Sequence, residues 1–170
     1  MGKVISVETF RQAIESNRLR DLDYDPQPVR VRIPEAKESL RNGLTSILHH
    51  ELEWLPEYDE IANWLTDNNR KGLVLIGPPG VGKTEICTKV IPLLFQLLYS
   101  KIFSIYSAAT LCAEQTYYSA LHHRLVVVDD FGIEGVFNDF GNPHVVFSEI
   151  VDSIERCGTL LIATTKLTHV

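Results

Sequence analysis

The chain has 170 residues, 45% of them hydrophobic and 22% charged, which is ordinary for a folded domain and enough apolar material to bury one core. A formal net charge of -6 argues against a generally basic protein that coats nucleic acid. The longest greasy region, 90–99, contains Pro92 and is well short of the roughly 20 apolar residues a membrane helix needs.

The N-terminal residues show no long apolar run with a small-residue cleavage site, which predicts a cytoplasmic protein with no membrane partner. Val7, Phe10, Ile14 and Leu19 fall near helical spacing, and residues 21–26 read as a turn-rich break. Residues 28–33 alternate like a strand. From Pro34, the residues Ala36, Leu40, Leu44, Ile47 and Leu48 share one helical face. Another helix, from near Pro56, carries Ile61, Trp64 and Leu65 inward until turn-forming residues at 67–72 stop it. This predicts a small, mainly helical N-terminal segment (1–55) ahead of an α/β core (56–170).

The core opens with an apolar strand at 73–76, a glycine-rich loop and a helix over 83–99 that Pro92 should bend or divide, because proline lacks an amide to bond back to residue 88. Buried strands are expected at 102–106, 125–128 and 159–163, separated by segments long enough for crossover helices, hence a parallel sheet. The last crossover helix, about 144–156, places Val146, Ile150 and Ile154 at four-residue steps, and Cys157-Gly158 ends it. Cys87, Cys112 and Cys157 form no C-x-x-C pair, so buried free thiols are expected, with neither a disulfide framework nor a zinc site.

Residues 77–84, Gly-Pro-Pro-Gly-Val-Gly-Lys-Thr, satisfy G-x-x-x-x-G-K-[ST] between an apolar strand and a helix. A polyphosphate needs several amides converging on one concavity, and glycines permit the backbone angles and the close approach. The helix start adds unpaired amides and the positive end of its dipole, Lys83 brings a cation to the outer phosphates, and the Thr84 hydroxyl can ligate Mg2+. Gly77, Pro79, Gly80, Val81, Gly82, Lys83, Thr84 and Glu85 are therefore the expected ATP-binding residues, with Mg2+ completing the ligand.

The strand at 125–128 ends in Asp129-Asp130, where a Walker B element should follow a Walker A loop. Asp129 would hold Mg2+, and Asp130 takes the position of the base that polarises the attacking water. The next apolar strand ends in Thr164-Thr165-Lys166; Thr165 is the preferred sensor of the terminal phosphate, with Thr164 and Lys166 as competitors. The catalytic set is then Lys83, Asp130 and Thr165. Adjacent His122 and His123 point apart and lack a third ligand, which favours a surface role. Trp54, Tyr58 and Trp64 could flank a base but suit helix packing as well or better.

Residues 77–84, the run Val126-Val127-Val128-Asp129-Asp130-Phe131-Gly132 and Ala163-Thr164-Thr165 together resemble the AAA+ ATPases, specifically the DnaC/IstB-like helicase loaders and transposition helpers. The Asp-Asp-Phe-Gly ending is especially similar, and Phe140-Gly141-Asn142 resembles mobile-element members of the group. The likeness covers about 57–170. It implies a P-loop NTPase three-layer sandwich, ATP hydrolysis, and DNA, a replicative helicase or a transposase as partner. The family continues with a fifth strand, an arginine finger and a helical lid, whereas no arginine follows Arg156. Weak turnover is therefore expected, along with an unpaired sheet edge that invites another molecule, a second copy of the chain included. The alternatives are a signalling or defence P-loop NTPase whose nucleotide state controls oligomerisation, and a small-molecule kinase, for which an arginine-rich lid segment is missing.

Overall fold

The computed structural model describes residues 6–16, 27–48, 52–111, 119–120, 122–132, 136–139 and 142–166. Three helices come first: α1 (Val7–Ser16), α2 (Ala36–Leu48) and α3 (Glu57–Thr66). Between α1 and α2 the alternating segment 28–33 is extended but is not a strand of any sheet. Its backbone bonds go to the end of α3 instead: Ile33 N–H donates to Leu65 O, and Val31 exchanges bonds with Asn68 through that residue's amide N–H and side-chain Oδ1. Alternation correctly marked Val31 and Ile33 as inward, since both are buried, yet the partner is a helix terminus.

The mixed α/β core is built on a four-stranded, all-parallel sheet. Its strands are β1 (Leu73–Ile76), β2 (Ser104–Ser107), β3 (Leu125–Asp129) and, last in the chain, β6 (Leu160–Thr165), in spatial order β1-β6-β3-β2. A separate antiparallel pair, β4 (Val136–Asp139) and β5 (Asn142–Val145), leads into the final helix, α6 (Val146–Cys157). His144 thus belongs to a strand and not to the crossover helix, which begins two residues later than the apolar spacing predicts. Residues 140 and 141 of the Phe-Gly-Asn run, and Cys112, lie outside the described residues.

Parallel strands need both faces covered, and two apolar clusters do this. Val127 and Ile162 face a large cluster with Leu40 and Leu44 of α2, Ile61 and Leu65 of α3, and Ile86 and Phe95 of the helix after β1. Val126, Val128 and Leu161 face the other way, onto Ile150 of α6, Ala108 and Leu111. The central strands β3 and β6 are buried almost throughout, whereas β1 and β2 lie at the sheet edges and expose alternate residues: Val74, Ile76 and Ile105 are each about half exposed. Strand β2 begins two residues later than expected, leaving Ile102 outside it and 77% exposed.

The helix after the loop continues from residue 83 to residue 99 without a break, so Pro92 does not end its first portion; a π-helical turn stands just before the proline. It runs as α4 (Lys83–Glu85), a π-helical turn (Ile86–Val90) and α5 (Ile91–Tyr99). In the widened turn Ile91 N–H reaches back to Ile86 O, and Pro92 follows at once, with no amide to continue the ladder. Among the described residues no helix is long and apolar enough to cross a membrane.

Candidate nucleotide site

Strands β1, β3 and β6 run parallel, so their C-terminal ends emerge side by side, with Ile76 in register with Thr165 and Val128 with Ala163. In open parallel sheets this edge is where ligands are held. The residues singled out from sequence in three separate stretches are all delivered there.

The loop 77–82 turns on glycines in left-handed backbone. Gly80 and Gly82 have φ of +89° and +79°, a region that costs side-chain-bearing residues roughly 1–2 kcal/mol, and nothing lies within 4 Å of where a Cβ on Gly80 would be. Lys83 is buried, and its ammonium donates to the carbonyls of Gly77 at 2.8 Å and Pro78 at 2.7 Å, closing the loop on itself. Those are neutral acceptors that a phosphate oxygen would outcompete. Ile86 N–H bonds to Gly82 O, fixing the helix start directly behind the loop.

The hydroxyl of Thr84 donates to Oδ1 of Asp129 at 3.1 Å. The same carboxylate oxygen accepts the Thr164 hydroxyl at 2.6 Å, and Thr164 in turn accepts the Asp130 amide at 2.9 Å. A threonine, an aspartate and a second threonine from three elements therefore converge on one point. Asp130 has φ +59°, a left-handed turn that ends β3, and its Oδ2 is 2.8 Å from the ammonium of Lys166. That pairing holds Lys166 above its ordinary range. Thr165, the preferred sensor by sequence, is buried and donates its hydroxyl to Phe131 O at 2.9 Å. The two competitors, Thr164 and Lys166, are the ones that contact the acidic pair. Pro79, Gly80, Gly82, Thr84, Asp130 and Lys166 line one cleft of about 340 Å3. Glu85 also borders it, although its carboxylate is drawn to Lys89 at 2.6 Å.

A second, more apolar cavity of about 620 Å3 adjoins the loop, lined by Leu55, Tyr58, Ile61, Leu73, Ile76 and Val81 among others. Tyr58 spans the two regions. It is buried, stacks edge-on against Trp54, and donates its hydroxyl to Val81 O at 3.2 Å. Burial pushes its phenol above the ordinary tyrosine range. Trp64 ties α3 to the segment that enters β1 through its indole N–H, which donates to Lys71 O at 3.0 Å and Gly72 O at 3.2 Å. Helix packing is thus the observed role of Trp54 and Trp64. Reasoning on aromatic spacing could not find the Tyr58 contact, because Val81 lies 23 residues away on a loop without periodicity.

Cys87 is buried just behind the loop, and desolvation, followed by the nearby Asp129 charge, raises its thiol far above the usual range. His123 accompanies Tyr106, with ring nitrogen and hydroxyl 2.9 Å apart, while His122 is exposed. Among the described residues no group of three or more His, Cys, Asp or Glu side chains could hold a metal ion. No family model matches the chain, and no curated protein does.

Proposed function

We propose that the chain is a P-loop ATPase with the three-layer sandwich of that class, binding Mg-ATP at the C-terminal ends of β1, β3 and β6. The single observation that carries this reading is the 3.1 Å bond between Thr84 and Asp129, residues 45 apart in sequence that meet beside the glycine-rich loop as a shared Mg2+ site requires. The residues present fit the ligand. The loop amides and Lys83 would hold the β and γ phosphates, while Thr84 and Asp129 would hold Mg2+. The ion's contribution when bound is to neutralise charge on the phosphate oxygens. The apolar cavity around Tyr58, Ile61 and Val81 has the size and polarity to receive the base.

In hydrolysis Asp130 would accept the proton of a water aligned with the terminal phosphate, and Lys83 would stabilise the charge that develops there. Thr164 positions both carboxylates, one through its hydroxyl hydrogen and one through the Asp130 amide. The sequence likeness to AAA+ ATPases of the DnaC/IstB-like group extends the proposal to a role in DNA replication or mobile-element maintenance, with DNA, a replicative helicase or a transposase as partner and a second copy of the chain as a further one. Among the described residues β1 ends the sheet with no strand beyond it, which supports pairing with another molecule.

Titration of the purified chain with ATP and Mg2+ tests the site. Wild type is expected to saturate, and Lys83→Ala to bind roughly tenfold to a hundredfold more weakly, as loss of a charge-assisted phosphate contact implies. The same null signal from both proteins would end this interpretation. Salt-sensitive binding to DNA, or co-purification with a helicase, separates the replication reading from a signalling role.

A further inference from the structure

The glycines that let the loop 77–82 turn also leave its peptide planes weakly determined. Val81 stands between Gly80 at φ +89° and Gly82 at φ +79°. Glycine takes positive and negative φ about equally well, so the peptide joining Val81 to Gly82 can rotate to either setting at little steric cost. The two settings are opposite in charge. With the Val81 carbonyl turned out of the loop, the Gly82 amide faces in; with the carbonyl turned in, an oxygen stands where an anion would lie.

Tyr58 decides between them. Its hydroxyl donates to Val81 O at 3.2 Å, and among the described residues no backbone amide donates to that carbonyl. The donor is held firmly: Tyr58 is buried in the first turn of α3, its ring lies edge-on to Trp54 with centroids 5.4 Å apart, and its own amide donates to Leu55 O at 3.0 Å. Tyr58 and Val81 line the apolar cavity, whereas Gly82 lines the polar cleft with Pro79, Gly80 and Thr84. The peptide is trans, and in a trans peptide C=O and N–H point in opposite directions. A carbonyl held toward Tyr58 therefore sends the Gly82 N–H away from it, to the side of the cleft. Among the described residues the amides of Gly80, Val81 and Gly82 find no backbone acceptor, which leaves them for a ligand or water.

We propose that Tyr58 is a positioning residue for the glycine-rich loop: by holding the Val81 carbonyl on the cavity side, its hydroxyl keeps the Gly82 amide turned toward the phosphates of a bound nucleotide. This rests on the nucleotide reading above and adds to it a residue of the helical segment, 23 positions from the loop carbonyl it holds. Without the hydroxyl only a fraction of molecules present the amide, and apparent affinity falls by that fraction. A neutral hydrogen bond biases an equilibrium by roughly twofold to tenfold, which sets the size of the effect.

Tyr58→Phe removes the hydroxyl and keeps the ring against Trp54. Calorimetry with two probes, Mg-ATP and Mg-tripolyphosphate, separates loop from base, because the second probe has no base. The variant is expected to bind both more weakly, by the same factor of roughly twofold to tenfold. A loss confined to ATP, which a contact between the ring and the base would give, overturns the proposal, and so does no loss with either probe. The second readout uses the fact that Val81-Gly82 is the only Val-Gly step in the sequence. Protein carrying carbonyl-13C valine and 15N glycine therefore gives one carbonyl-coupled amide signal, that of Gly82. In the unliganded variant this signal should move from its wild-type position, and saturating tripolyphosphate should bring it to the bound wild-type position, since binding selects one setting. The amides of Gly43 and Gly158 should stay in place, whereas a general loss of structure would move them too. Identical Gly82 signals in the two unliganded proteins overturn the proposal. If Lys83→Ala weakens binding and Tyr58→Phe does not, the positioning role alone falls. If wild type binds neither probe, the nucleotide reading falls and this role with it.

Discussion

Replacing Thr164 by valine keeps the side chain's shape in a fully buried position and removes only its hydroxyl. Two bonds go with it. Asp129 loses the donor at 2.6 Å, a bond to a charged acceptor worth about 1.5–3 kcal/mol. The Asp130 amide loses its acceptor at 2.9 Å, and a stranded donor costs about 1–3 kcal/mol. Both aspartates are only partly buried, so water recovers part of each loss and the low ends apply, a total of roughly 2–3 kcal/mol. With a urea dependence of about 1–3 kcal/mol per molar, the unfolding midpoint should fall by about 1 M. Trp54 and Trp64 fluorescence, both half-buried, would report it. Thr164→Ser should restore most of the shift, since serine keeps the hydroxyl. Because Asp129 also loses an anchor, the Mg2+-dependent part of ATP affinity should weaken in the valine variant and recover in the serine one. A valine variant with the wild-type midpoint and unchanged Mg2+ dependence would refute the role given to this hydroxyl.

Further outcomes follow from the packing and the charges. Gly82→Ala forces a Cβ into φ +79° and to 3.2 Å from the Tyr58 hydroxyl; a stability loss of about 1–2 kcal/mol is expected from the backbone, read as a lower urea midpoint. In α2, a methyl at Gly43 would lie 2.6 Å from Val90 Cγ1, so Gly43→Ala should destabilise by about 1–3 kcal/mol of overpacking, less about 1 kcal/mol regained in helix propensity. Adding Val90→Ala should relieve the clash, and a thermal melt of single and double variants reads it. Asp67 is held well below the ordinary carboxylate range, first by the Arg30 guanidinium and then by the Asn69 amide. A depressed folded-state value means its contribution is complete above the unfolded value of about 4 and disappears as pH falls through and below it. Asp67→Asn should therefore be less stable than wild type at neutral pH, and the difference should shrink on acidification; a gap that stays constant from pH 7 to pH 2, by urea titration, would contradict the pairing.

The place of the glycine-rich loop was legible because an apolar run, a glycine-rich stretch and a helix-permissive segment follow one another, and their order is set by chain connectivity alone. The acidic pair was legible for the same reason: four apolar residues followed by two carboxylates place those groups at a strand end whatever the rest of the fold. What could not be read was spatial adjacency. Val31 and Ile33 alternate as strand residues do, yet Asn68 and the end of α3 satisfy their backbone, and no periodicity distinguishes a helix terminus from a neighbouring strand as the acceptor. The two-residue error at β2 has a related cause, since Ile102 is as apolar as any core residue and only its surroundings leave it exposed.

The strand end of β6 shows where pattern reading stops in the site itself. Thr164, Thr165 and Lys166 are consecutive polar residues, and propensity treats the first two alike. Successive side chains on a strand point to opposite faces, so one hydroxyl must meet Asp129 and the other must not. Which one does so depends on the register of β6 against β3, fixed by Val128 opposite Ala163. That register is a property of the packed sheet. It gives the buried hydroxyl of Thr164 a task at the acidic pair and turns that of Thr165 to the Phe131 carbonyl, a division that the identical side chains alone do not announce.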